Sequence, residues 1–309
     1  MVFDILGYKI KETKAPICVG LDTAYDYLPD YCRSELNEND PFETMASDIL
    51  KFNTAIIDEI FDIVPAVKIQ IAYYEMYGYH GLKAYKETID YAHAKGMVVI
   101  CDAKRGDIGA TAAAYSTAFL GGVEAAGKIH HAFEADILTV NPYLGSDGIE
   151  PFLNDMEHSG KGIFVLVKTS NPSSGEFQDK LCEGKANYLQ VAEKVAEWGE
   201  KFIGRTGYSS VGAVVGATYT EQAKELRELY PHMFLLIPGY GAQGAGGDDI
   251  AVAFDAHGGG AVVNNSRGIL LAYKQERYKT VSFELAARAA TLDMKEDILA
   301  ALKRAGKEI

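Results

Sequence analysis

The hexapeptide Asp102-Ala103-Lys104-Arg105-Gly106-Asp107 follows the apolar run Met97-Val98-Val99-Ile100-Cys101 and places an acid, a base and a second acid at one strand end. Side chains alternate between the two faces of a strand, so Asp102 and Lys104 are expected on the same face. Opposite charges on an otherwise apolar strand lose costly hydration unless they pair or take part in chemistry. An ammonium held beside a carboxylate in such a place can stabilise a developing negative charge and then donate a proton. Asp107 read alone serves equally as the N-cap of the stretch that follows it. The combination D-x-K-x-x-D favours a site, because a surface cap has no need of charges on a core strand.

A second lysine, Lys68, ends the apolar segment Pro65-Ala66-Val67-Lys68-Ile69. By itself it reads as a rim lysine with its ammonium in water. With Asp102, Lys104 and Asp107 it completes two lysines and two aspartates, a set that holds its members ionised where water is scarce. Gly239-Tyr240-Gly241-Ala242-Gln243-Gly244 matches G-x-G-x-x-G, yet the acidic residue expected about 20 positions on in a dinucleotide-binding fold is replaced by Val262-Val263-Asn264-Asn265. A phosphate site built from the glycine-loop amides, Gln243 and Arg267 of Asn265-Ser266-Arg267-Gly268 fits better. The histidines form no HxxxH or HExxH pair, and no G-x-S-x-G elbow is present. The aromatic run from Tyr73 to Tyr79 reads as core packing or a subunit contact.

These residues need a frame, and the chain supplies a periodic one. Eight short apolar runs, at about 16–21, 64–69, 97–103, 136–141, 162–168, 211–215, 233–237 and 260–264, alternate with stretches of helical periodicity. Repeated βα units of this kind predict a parallel (β/α)8 TIM barrel, a single domain over 1–309, with its active site at the C-terminal strand ends. At those ends stand Asp22, Lys68, Asp102 with Lys104, Asn141, Thr169 with Ser170, Pro238 and Asn264 leading to Arg267, whereas strand starts carry Pro16, Pro65, Gly162 and Gly260. The segments 43–63, 73–95, 108–126, 185–203, 220–230 and 285–305 read as helices, the last amphipathic. Loops 22–42 and 170–184 are longer than the frame requires and suit lids at the catalytic end.

The chain has 309 residues, of which 48% are hydrophobic and 24% charged, enough for a large core. A net charge of −13 with no basic stripe argues against capture of nucleic acid or an anionic membrane. Four cysteines without CxxC spacing suit a reducing cytoplasm. The start Met1-Val2-Phe3-Asp4 lacks the pattern of a leader, and no apolar run approaches a membrane span.

Six motifs in order carry a family resemblance: Leu21-Asp22, Lys68 in VKIQ, DAKRGDIGATA from Asp102, Thr169-Ser170-Asn171-Pro172, PGYGAQG from Pro238, and SRG around Arg267. With them the chain resembles orotidine 5′-phosphate decarboxylases of the longer bacterial subfamily over almost the whole barrel. The resemblance implies a cofactor-free lyase converting orotidine 5′-phosphate to UMP and CO2, with Lys104 as proton donor and Lys68, Asp102 and Asp107 completing the charge network. It implies that Asp22 binds the ribose, Ser170 the pyrimidine edge, and Gln243 and Arg267 the phosphate, with Thr169 and Pro238 also among the substrate-binding residues. It also implies a homodimer in which Asp107 and Thr111 enter the neighbouring subunit's site, with no metal. Two other chemistries compete with this one. A metal-dependent sugar-phosphate decarboxylase or aldolase of the same superfamily should carry a glutamate at the end of strand two, where Lys68 stands. A barrel that binds a phosphoribosyl ligand without catalysis should lack one of the charges, and none is missing.

Overall fold

Valine, isoleucine and leucine dominate the eight short runs, and nearly all of their residues are buried, as strands covered by helices on one side and barrel interior on the other must be. The computed structural model describes residues 1–241 and 244–309. Its eight parallel strands are Ile17–Gly20, Ala66–Gln70, Val98–Arg105, Ile137–Val140, Gly162–Lys168, Ser209–Val215, Met233–Pro238 and Ala261–Asn265. Each pairs with its neighbours in sequence, and the barrel closes where Ile17 stands opposite Val263. Every run read as a strand from the sequence is one, which gives a (β/α)8 barrel.

Strand alternation divides the core in two. Inward positions such as Cys18, Ala66, Ile100, Ile137, Phe164, Phe234 and Val262 fill the barrel, while Val19, Val67, Val99, Val165 and Leu235 pack outward against the helices. The barrel floor is closed by an element not anticipated from sequence, the helix Val2–Thr13. Its Phe3 ring centroid lies 4.9 Å from those of both Phe164 and Phe234. Filling one end this way leaves the opposite end as the open mouth.

The helices Pro41–Ile60, Gly78–Ala94, Asn187–Gly199, Thr220–Leu229 and Phe283–Arg304 fall where periodicity places them, within a few residues. Two expectations are corrected. The segment expected as one helix over 73–95 starts with a separate turn, Ala72–Glu75, and the longer helix begins anew at Gly78, whose φ of 60° departs from helical backbone. The helix expected over 108–126 ends at Phe119, and Val123–Ala125 pairs with Lys128–His130 as a hairpin. Ala126 and Gly127 at its tip both have positive φ, the backbone that a two-residue hairpin turn demands. The short helices Glu150–Ser159, Gly247–Ala251 and Arg267–Leu270 escaped the reading, being too brief for a clear period. Loop 22–42 contains turns at Tyr25–Tyr27 and Asp30–Cys32. Loop 170–184 contains the turn Pro172–Glu176 and the strand Leu181–Cys182, paired with Lys185–Ala186. Among the described residues no helix is long and apolar enough to cross a membrane.

Candidate active site

The first three strands deliver a chain of alternating charges to the barrel mouth. Lys68 follows Ala66 by two residues and Asp102 follows Ile100 by two, so both inherit the inward direction of those core side chains. Lys68 Nζ lies 2.9 Å from Asp22 Oδ1 and 3.0 Å from Asp102 Oδ2. Lys104 Nζ lies 2.5 Å from Asp102 Oδ1. The Thr139 hydroxyl donates to Asp102 Oδ1 at 3.0 Å and accepts the Lys104 backbone N–H at 2.9 Å. Ser266 closes the other end by donating to Asp22 Oδ2 at 2.8 Å. That approach needs Gly20, since a Cβ there would lie 1.8 Å from Ser266 Oγ.

Lys68 is 3% exposed, and Asp102 is buried beside it. Burial would raise the Asp102 carboxyl, but the ammonium groups of Lys68 and Lys104 overcome it and hold the carboxyl well below the usual range. Burial likewise would lower the Lys68 ammonium, and the carboxylates of Asp102 and Asp22 push it above its ordinary value instead. Both groups are therefore charged across the physiological range.

Asp102 and Lys104 meet as expected, though not through regular alternation. Lys104 has φ 48°, and the register between the third and fourth strands shifts between Cys101 and Arg105. A left-handed backbone at a non-glycine residue costs on the order of 1–3 kcal/mol, a strain that persists where surrounding structure imposes it. Here the Thr139 hydroxyl fixes the strained amide and the adjacent carboxylate together. Thr139 was overlooked in the sequence, although its spacing of two from Ile137 and from Asn141 marks a polar residue on the inward face.

The charged chain opens into a cavity of about 730 Å³. Lys68, Asp102, Lys104, Thr169, Ser170 and Pro238 line it, with Gln178 and Tyr188 from the long fifth loop and its helix. A smaller cavity of about 160 Å³ adjoins it, sharing Ser170 and Pro238 and lined also by Asp22, Tyr73, Asn265 and Arg267. Gly216 permits the join, because a Cβ there would lie 2.8 Å from the Ser170 backbone. Tyr73 packs partly against the core and also lines the smaller cavity, while Tyr74 and Tyr77 are buried within the core. Gln243 lies outside the described residues.

Two residues of the expected set stand apart. Asp107 and Thr111 line neither cavity. Asp107 is half-buried on the rim, and among the described residues its Oδ1 accepts only the neighbouring Ile108 N–H, at 2.8 Å. The N-cap reading of Asp107 is also corrected: the helix starts at Gly109, so Ile108 holds the cap position without a side-chain hydrogen bond. Thr111 is exposed on the first turn of that helix. Among the described residues no group of three or more His, Cys, Asp or Glu side chains is arranged to hold a metal ion.

Comparison with known proteins identifies the family of this barrel. Residues 15–280 match the sequence model of the orotidine 5′-phosphate decarboxylase / HUMPS family. The chain is 43% identical over 301 residues to the orotidine 5′-phosphate decarboxylase of Caldicellulosiruptor saccharolyticus, covering 97% of this chain and 98% of that one. It is 44% identical over 300 residues to that of Petrotoga mobilis, covering 96% and 98%. The structure of Leishmania donovani OMP decarboxylase superposes with a TM-score of 0.72 at 27% identity, covering 97% and 98% of the two chains. With a family match over most of its length and relatives above 40% identity along nearly all of it, the chain belongs to the orotidine 5′-phosphate decarboxylase / HUMPS family.

Proposed function

We propose that this chain decarboxylates orotidine 5′-phosphate to UMP and CO2, the last step of de novo UMP synthesis. The observation that carries the chemistry is Asp102, shared between the buried Lys68 and the more exposed Lys104 at the cavity floor. Cleavage of the C6–carboxylate bond leaves its electron pair on C6 in the ring plane, where the pyrimidine π system cannot delocalise it. A fixed cation must stabilise that charge, and Lys104, whose ammonium faces the cavity, is suited to do so and then transfer a proton from Nζ to C6. Asp102 orients Lys104 and faces the departing carboxylate. Two unit charges 4 Å apart interact by about 4 kcal/mol at an effective dielectric near 20, too little alone for the roughly 8–23 kcal/mol by which enzymes lower barriers. Most of the effect is therefore assigned to Lys104 and to binding energy from the phosphate.

In this reading Asp22 takes the ribose, Thr169, Ser170 and Pro238 the pyrimidine side of the larger cavity, and Arg267 with Gln243 the phosphate at the smaller one. The reaction as written uses no cofactor. Lys68, held between Asp22 and Asp102, occupies the place where a metal-dependent relative would need a cation ligand. The working unit is a homodimer of 309-residue single-domain subunits, each lending Asp107 and Thr111 to its neighbour's site. Support comes from their position outside their own cavity and from exposed apolar side chains nearby, Ile108 at 53%, Tyr143 at 83% and Leu144 at 48%. Four free cysteines suit the reducing cytoplasm as its place of work.

The test is the ultraviolet absorbance of orotidine 5′-phosphate on addition of purified protein with a strong chelator present. Decline of the substrate band that is absent in Lys104→Ala supports the proposal. No turnover, with activity on sugar phosphates appearing once Mg2+ is restored, overturns it in favour of the metal-dependent chemistry.

A further inference from the structure

Lys168 ends the fifth strand, is 0% exposed, and belongs to neither cavity lining. The register with the sixth strand places Leu166 opposite Val214 but Lys168 opposite Val215, so one extra residue on the fifth strand breaks the alternation there. The side chain is thereby placed beneath the long loop that follows. Its Nζ lies 2.7 Å from Asp179 Oδ1, 3.3 Å from Ser174 Oγ and 4.1 Å from the centroid of the Tyr219 ring. Ser174 Oγ lies 2.8 Å from the Tyr219 hydroxyl. A completely buried ammonium is costly, and three partners converging from the loop and from the segment after the sixth strand are what offset it.

The same loop is pinned at the cavity edge. Gln178 uses both ends of its amide on Thr169, its Oε1 accepting the backbone N–H at 2.9 Å and its Nε2 donating to Oγ1 at 2.8 Å. Gln178 is next to Asp179, the partner of Lys168, and Thr169 is next to Lys168 itself. The two clamps thus tie the same pair of backbone segments, one clamp from below and one from the cavity side. Thr169, Ser170, Asn171, Phe177 and Gln178 all line the cavity, so the loop's placement decides the shape of that wall.

We infer that Lys168 is a positioning residue: its bond to Asp179 latches loop 170–184 over the part of the cavity that takes the base, and so sets selectivity for nucleotides over base-free phosphorylated sugars. The inference rests on the proposed function in naming the base-bearing ligand. Its structural basis is the anchoring of the loop, which stands without it. Asp179 is about half exposed, which leaves the latch openable from solvent.

The experiment measures affinity for UMP and for ribose 5-phosphate by calorimetry, and kcat and KM for orotidine 5′-phosphate, in wild type, Lys168→Met, Lys168→Arg, Asp179→Asn and the double variant. Loss of the latch is expected to weaken UMP and raise KM by at least about tenfold while ribose 5-phosphate and kcat stay within about twofold to threefold. Lys168→Arg is expected to restore part of the UMP affinity, and the double variant to be no worse than Lys168→Met, because the two partners form one interaction. Equal loss of both ligands, or a folded Lys168→Met with unchanged UMP affinity, overturns the inference. If Lys168→Met does not fold, Asp179→Asn decides by the same criteria, since it leaves the ammonium bonded to Ser174. If wild type neither binds UMP nor turns over, the functional reading fails separately, and tryptic cleavage after the exposed Lys180 still reports on the latch. Faster cleavage in Asp179→Asn upholds the anchoring and an unchanged rate overturns it.

Discussion

Lys104 Nζ lies 2.5 Å from Asp102 Oδ1 although the two residues are joined through a left-handed backbone, φ 48°, at Lys104 itself. Strain of that kind at the most exposed ammonium of the charged chain supports the proposed role of Lys104, because it holds the cation in place before substrate arrives. Lys68, Asp102 and Thr139 make the arrangement rigid, and Lys104 alone among the four has a side chain nearly half open to the cavity.

Lys104→Ala should therefore separate binding from turnover. The expected outcome is a fall in kcat of at least about 10³-fold, combining a lost general acid with lost electrostatic stabilisation, while UMP still raises the melting temperature. A variant retaining more than about a tenth of wild-type kcat would remove Lys104 from the chemistry.

Lys68→Met should act chiefly on stability. It leaves the Asp102 carboxylate buried with one cation in place of two, and removal of one partner from a buried pair costs about 3 kcal/mol. Urea unfolding is expected to show that loss, and Lys68→Met with Asp102→Asn to recover much of it. A double variant as unstable as the sum of both singles would argue that the two side chains do not interact.

Thr139→Val keeps the volume and removes the hydroxyl that serves both Asp102 and the strained amide of Lys104. A buried donor left unpaired costs about 1–3 kcal/mol, so kcat is expected to fall about tenfold or more with a modest change in KM. Equal loss in kcat and in UMP affinity would point to collapse of the cavity instead.

At the opposite end of the barrel, His93 Nε2 lies 2.9 Å from Asp136 Oδ2, which also accepts the Val99 N–H at 2.8 Å. The hydrogen bond to Asp136 raises the His93 pKa against the opposing effect of burial; Asp136 and Glu134 add to the rise, and Lys161 opposes it. A histidine with a raised folded pKa contributes its stabilisation fully below its unfolded value, about 6.5, and loses it as pH climbs through the folded value. The gap in urea midpoint between wild type and His93→Gln should be wider near pH 5.5 than near pH 8.5 (roughly one unit below and two above that unfolded value). A gap independent of pH would mean that His93 contributes only as a neutral group.

Subunit sharing predicts complementation. Mixing inactive Lys104→Ala with inactive Asp107→Ala should restore activity, because a mixed dimer contains one site with both native residues. Restored activity should approach about a quarter of wild type at equal mixing if exchange is random and sites act independently. Full subunit exchange without recovery would place Asp107 in its own subunit's chemistry or outside it.

How much of this was legible in the chain follows from the range of the interactions involved. Eight apolar runs with polar residues at their C-terminal ends specified the barrel and its active end, because strand burial and βα alternation are local patterns. Asp102, Lys104 and Lys68 stood out because charge on a buried strand is costly wherever the strand goes. Other features were beyond local reading. Phe3 as the plug of the floor, Ser266 reaching Asp22 across 244 positions of sequence, and Thr139 supporting both Asp102 and Lys104 exist only once the sheet closes. The strained backbone at Lys104 and the displaced side chain of Lys168 depend on register shifts, which the two-residue period of a strand does not reveal. The amino-acid sequence by itself determined the architecture and the identity of the charged groups; tertiary structure decided which of them share a carboxylate, since distances of a few ångströms between residues tens or hundreds of positions apart are set by closure of the barrel.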